Sequence, residues 1–365
     1  LQNNQKSSIV KLKMSQLYLP DMARWGNQSN PDASIVGLHG FAGSCEDYGN
    51  LARALTEKNS GMQVVSYNRG RDGRLIPPNR TGTGATQTNG AELLMALGEL
   101  AQQDSVNNLI LAGHSLGGPI IAAAIQMVLD GNLPKILVPE QKRLEEIVSS
   151  IEAINLIAPA GFTDAYALTP IAGFAGHSLA RAIFNGARGI IKDSEGARDL
   201  WAQRSRATSA LSYLAKFKFS IEECVDACGP ETMMTLANNP ELAKILKIIT
   251  YNGDEIFPSE KIESTLQNPD VRGTDFAVYE ALKSLNPKEA LALMSHLSLA
   301  GTTGFMALRA VGIFESKNYH DPFNSTQEQN LAALAGRVVR LPGNHTTPLT
   351  IRGANELAEV IQIAA

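Results

Sequence analysis

The sequence predicts an α/β fold: a mostly parallel sheet with helices on both faces. Three observations carry this. Short apolar runs at 34–38, 62–67, 109–112, 151–157, 247–251 and 337–341 have the length and composition of buried strands. Helical patterns lie between them, so strand and helix alternate, as parallel pairing with right-handed crossovers requires. The chain has 365 residues, enough for one large domain or two ordinary ones.

Residues 8–19 alternate loosely and read as an early strand or hairpin arm, and Pro20 with Gly26-Asn27-Gln28-Ser29-Asn30-Pro31 makes a turn. Strand 34–38 runs into His39-Gly40-Phe41-Ala42-Gly43-Ser44, and a helix follows over 48–58. Strand 62–67 leaves through Asn68-Arg69-Gly70-Arg71-Asp72-Gly73, and a helix over 89–102 leads to strand 109–112. After Ser115 the run Ile120 to Ile125 reads as a buried helix, with Pro119 tolerated in its first turn. Strand 151–157 ends at Ala158-Pro159-Ala160-Gly161; strands 247–251 and 337–341 and a helix over 354–363 complete the alternation. Two segments exceed a minimal alternation. The expected division is a core of 1–160, 241–260 and 335–365, a helical cap over 161–240, and a second helical insertion over 261–334.

Gly113-His114-Ser115-Leu116-Gly117-Gly118 is the most telling stretch. A serine pinned between strand and helix needs a tight turn, which the flanking glycines permit. The turn lifts the hydroxyl clear and leaves N–H groups of the helix start beside it. That is the setting of an activated nucleophile in acyl transfer. A serine that only caps the following helix is the plainer alternative.

These residues resemble the α/β-hydrolase family, and the resemblance extends past one motif. His39-Gly40-Phe41-Ala42-Gly43-Ser44 is similar to the family's oxyanion loop, Asp254-Glu255-Ile256-Phe257-Pro258 follows a strand as its acid does, and Gly343-Asn344-His345 follows the last strand, where its histidine lies. The resemblance covers roughly 30–160, 245–260 and 335–365. It departs from the pattern before the acid, where Tyr251 holds a place the family often gives to glycine and Gly253 adjoins Asp254 instead. It implies an α/β-hydrolase fold with helical cap insertions and a serine hydrolase. Ser115 would be the nucleophile, His345 the base and then the acid, and Asp254 the group that orients the imidazole. The N–H groups of Phe41 and Leu116 would form the oxyanion hole, with His39 and Gly40 supporting its loop. Glu255 is the competing acid, since in an extended segment it points the opposite way. His114 is expected to pack beside the elbow.

Composition removes several classes. With 36 acidic and 32 basic residues the net charge is −4, which gives no reason to expect a nucleic-acid partner. No apolar run is long enough to span a bilayer. No HxxxH or CxxC pair is present, so no metal site is expected, and no cofactor is implied. Three cysteines argue against a disulfide framework; Cys224 and Cys228 read as small buried side chains, with a redox or metal pair as the alternative. Thr81-Gly82-Thr83-Gly84 and Arg69, Arg71 and Arg74 invite a phosphate-site reading, but the P-loop spacing is missing and solvated turns account for both. Leu1 in place of Met implies a processed start; charge and cysteine usage fit the cytoplasm, and secretion stays open.

The cap bears on substrate. Residues 165–191 contain only Arg181 and Arg188 as charged side chains, among Leu168, Ile171, Phe174, Leu179, Ile183 and Phe184. They form either an apolar lid that lines an acyl pocket or meets a lipid surface, or a face packed on the sheet. The expected substrate is a carboxylic ester, small or lipid-like. An acyltransferase or an amidase or peptidase would use the same residues, and a non-catalytic binding protein would share only the fold.

Overall fold

The computed structural model describes residues 22–41, 43–69, 85–103, 108–162, 229–273, 276 and 321–361. The expected strand at 8–19, the cap segment 165–191, Cys224, Cys228, the stretch 81–84, Arg71 and Arg74 lie outside the described residues.

The strands are β1 (Met22–Gly26), β2 (Ala33–Leu38), β3 (Met62–Tyr67), β4 (Leu109–His114), β5 (Ile151–Ile157), β6 (Leu246–Tyr251) and β7 (Val338–Leu341). They form one seven-stranded sheet in the order β1-β3-β2-β4-β5-β6-β7. Among the described strands, only β1 is antiparallel to its neighbour; the other pairs are parallel. β2, β3 and β4 are buried along their whole length. Burial on both faces is why they read as continuous apolar runs instead of alternating ones.

The helices are α1 (Gly49–Lys58), α2 (Ala85–Gln103), α3 (Gly117–Leu129), α4 (Gln141–Ser149), α5 (Glu231–Asn238), α6 (Pro240–Lys244), α7 (Ser259–Gln267), α8 (Ser325–Ala335) and α9 (Ile351–Val360). α1 and α9 cover one face, where Leu51, Leu55 and Leu357 pack on Ile35, Val64 and Ile249. The rest contribute to the other core, around Val36, Leu111 and Leu156. Along α3, Gly117 to Ile125 are all buried, because the helix lies between the sheet and α2, α4 and α5. That position explains a helix that is apolar all round.

Three differences from the sequence reading have simple causes. β1 falls partly in the expected turn: it is a half-buried edge strand of five residues, too short to show a period, and it ends at Gly26 with φ +81°. α2 begins at Ala85, four residues before the expected start, and continues as a buried helix through Leu93, Leu94 and Leu97. α4 offers only Leu144, Ile147 and Val148 to the core, a single seam in a nine-residue helix.

Because β2 to β7 run parallel, their C-terminal ends share one edge. The loops leaving β2, β3, β4, β6 and β7 therefore converge there. Tyr48 braces this edge from below. Its hydroxyl sits 3.0 Å from the Leu38 carbonyl and 2.6 Å from the Ala112 carbonyl, near the ends of β2 and β4. Burial pushes this phenol far above its usual range, so it stays protonated as a donor.

Candidate active site

Ser115 is the residue between β4 and α3, with φ +54°. A non-glycine residue in the left-handed region costs about 1–3 kcal/mol and persists only where its surroundings hold it. Here they do. The Ser115 N–H donates to the Ile157 carbonyl at 2.9 Å, and the Ser115 carbonyl accepts from the N–H groups of Gly118 and Ala160, both at 3.1 Å. The flanking glycines are required by close approach. A Cβ on Gly117 would lie 2.4 Å from the Leu38 oxygen, and one on Gly113 would lie 2.7 Å from the Gly117 carbonyl carbon. Among the described residues, the Leu116 N–H donates to no group.

The loop after β2 lies against this turn. A Cβ on Gly40 would be 2.8 Å from Ser115 Cβ and 3.3 Å from Ser115 Oγ, so only glycine fits here. Donors converge on the Gly40 carbonyl: His39 Nδ1 at 2.9 Å, Arg69 Nη2 at 2.7 Å and the Gly43 N–H at 3.2 Å. A carbonyl only accepts, which assigns the His39 proton to Nδ1. Phe41, whose N–H follows that carbonyl, is half-buried.

Asp254 and His345, 91 residues apart in the chain, meet at the same edge. His345 Nδ1 lies 2.9 Å from Asp254 Oδ2. The other carboxylate oxygen, Oδ1, accepts the N–H groups of Ile256 at 2.8 Å and Phe257 at 2.9 Å. Asp254 is thus buried and fully hydrogen-bonded, while Glu255 is exposed. The loops meet through Gly253, whose N–H donates to the Gly343 carbonyl at 2.7 Å; a Cβ there would come within 2.8 Å of that oxygen. This close approach accounts for the glycine that adjoins the acid.

His114 links the histidine loop to the serine turn. Its Nε2–H donates to the His345 carbonyl at 3.0 Å, and the two rings are 5.0 Å apart. The Phe257 ring, 5.5 Å away, also contacts the imidazole. His114 therefore does more than pack beside the elbow. Sequence reasoning also missed Arg69. It is not in a solvated turn but 4% exposed, buried under the loop after β2. A cation one residue after a strand that ends beside that loop was the available signal. His177, His296 and His320 lie outside the described residues. Among the described residues, no group of His, Cys, Asp and Glu could hold a metal ion, and no helix is long and apolar enough to cross a membrane.

Residues 28–161 match the model of a protein family described as "Putative serine esterase (DUF676)". The match spans β2 to β5 with the serine turn and the loop before it, in the part of the sheet that carries both. The matched segment is 134 of the 365 residues. A bromoperoxidase from Bacillus anthracis is similar in structure, at 14% identity and a TM-score of 0.47, with 93% of each chain covered. An esterase from Exiguobacterium antarcticum is similar at 17% identity and a TM-score of 0.42, covering 68% of this chain and 82% of that one. No protein of curated function matches this chain by sequence.

Proposed function

We propose that this protein is an α/β-hydrolase and a serine esterase in which Ser115, His345 and Asp254 act together. The observation that carries the reading is the 2.9 Å contact between His345 Nδ1 and Asp254 Oδ2, formed on an edge where His345 is also tied to the serine turn. A carboxylate at Nδ1 keeps the proton on that nitrogen, so Nε2 is the basic one. His345 Nε2 takes the Ser115 proton as Oγ bonds to the ester carbon. The carbonyl oxygen becomes an oxyanion facing the N–H groups of Phe41 and Leu116. The imidazolium returns its proton to the departing alcohol, leaving an acyl-serine. Water, deprotonated by the same imidazole, releases the acid and restores Ser115. The family match over 28–161 supports ester chemistry.

Within this reading the acyl chain is long, on the strength of the apolar composition of residues 165–191. The test is hydrolysis of p-nitrophenyl esters of increasing acyl length by the wild type and Ser115→Ala. Turnover lost in the variant, and rising beyond about eight carbons as apolar burial accumulates, is expected. Turnover that survives the substitution refutes the esterase mechanism, and a preference for acetate refutes the long-chain assignment alone.

A further inference from the structure

The proposed chemistry uses the Phe41 N–H but leaves open what aims it. Two consecutive residues at the end of β3 hold the loop that carries it. Asn68 Oδ1 accepts the Cys45 N–H at 3.0 Å, and Arg69 Nη2 donates to the Gly40 carbonyl at 2.7 Å. The described peptide bonds include no cis form, so the Gly40 carbonyl and the Phe41 N–H point to opposite sides of one plane. Fixing the oxygen toward Arg69 and His39 fixes the N–H away from them. Gly40 itself stands against Ser115, which puts that peptide beside the nucleophile.

The fork also matters because it is charged. A guanidinium is always protonated in a protein, and here it is nearly sealed from water. A cation at the oxygen of a peptide group draws charge toward that oxygen and makes the N–H of the same group a better donor. Burial pushes the Tyr67 phenol far above its usual range, with the Glu92 carboxylate adding to the rise and the Arg69 guanidinium opposing it.

We propose that Arg69 is a positioning residue of the oxyanion hole: its guanidinium, bonded to the Gly40 carbonyl, aims and strengthens the Phe41 N–H toward the tetrahedral intermediate. This rests on the serine esterase reading above. Arg69 touches no reacting atom and acts through one peptide group. Its loss should therefore slow the chemical step more than it weakens ground-state binding.

The test compares Arg69→Met, Arg69→Lys and Arg69→Ala with the wild type. The readouts are kcat and KM for p-nitrophenyl butyrate, the rate at which a fluorophosphonate labels Ser115, and the urea unfolding midpoint. Removing one oxyanion donor outright costs about 100- to 1000-fold, so misaiming it should cost about 10- to 100-fold. Arg69→Met should lose kcat and labelling rate by that factor, with KM within about threefold of the wild type. Arg69→Lys, which keeps the cation without the fork, should recover part of the loss. Added guanidinium at millimolar concentration should speed Arg69→Ala and leave the wild type unchanged. Should Arg69→Met fail to fold, the lysine variant and the rescue decide the matter. A kcat within twofold of the wild type in folded Arg69→Met overturns the proposal. So does a lysine variant at full rate with no guanidinium rescue of Arg69→Ala. A wild type that neither hydrolyses the ester nor takes the label refutes the esterase reading underneath, a different outcome from active enzyme indifferent to Arg69.

Discussion

Replacing Asp254 with asparagine separates the chemical task proposed for this carboxylate from its structural one. Oδ1 accepts the N–H groups of Ile256 and Phe257 at 2.8 and 2.9 Å, and the asparagine carbonyl can take over both bonds. The side-chain NH2 then faces His345 Nδ1 at the 2.9 Å position that Oδ2 held. Two donors cannot share that contact, so the imidazole must turn Nδ1 into an acceptor and move its proton to Nε2. In that tautomer Nε2 cannot take the Ser115 proton. The same loss of tautomer control costs a serine protease about 10⁴-fold in kcat, or about 5.4 kcal/mol of barrier. The expected result for Asp254→Asn is therefore a fall of about 10⁴-fold in kcat with stability within about 1 kcal/mol of the wild type. Asp254→Ala should behave differently. It leaves two buried N–H groups without an acceptor, at about 1–3 kcal/mol each, and should lose several kcal/mol of stability as well as activity. Steady-state kinetics and urea unfolding on both variants measure the two effects. Asp254→Asn within tenfold of wild-type kcat would refute the argument.

Other substitutions test other links. Ser115→Gly relieves the strain at φ +54° and should raise stability by up to about 1 kcal/mol while abolishing ester turnover; a lower urea midpoint would contradict the strain assignment. Gly117→Ala puts a methyl 2.4 Å from the Leu38 oxygen, which is backbone and cannot turn aside, so it should cost at least about 2 kcal/mol by urea unfolding and most of the activity. Arg272→Met removes a side chain 1% exposed that pairs with Asp321 and donates to the Thr265 and Leu266 carbonyls at 3.1 Å. It should destabilise by about 3–5 kcal/mol, and a change below about 1 kcal/mol would show that the pair is solvated.

The central strands were readable because they are buried on both faces, so composition alone marks them. The serine turn was readable because close approach to Leu38 excludes any side chain at Gly117, leaving a glycine signature in the sequence. The choice between Asp254 and Glu255 was not, because it depends on how a turn orients two neighbouring acids. The turn is set by the Ile256 and Phe257 N–H groups, which bond to Asp254 and leave Glu255 in water. Arg69 was misread for a related reason. Loops after strands are usually solvated, and Arg69 is buried where it meets His39 and Gly40, a contact about thirty positions away in sequence. β1 was missed because its pairing with β3, and no periodicity of its own, makes it a strand.

The most direct test of the account is where a fluorophosphonate binds covalently. Peptide mass spectrometry of the labelled wild type should find one adduct, on Ser115, and Ser115→Ala should take none at the same dose. Equal labelling of the variant, or an adduct on another serine, would contradict the assignment of Ser115 as the nucleophile.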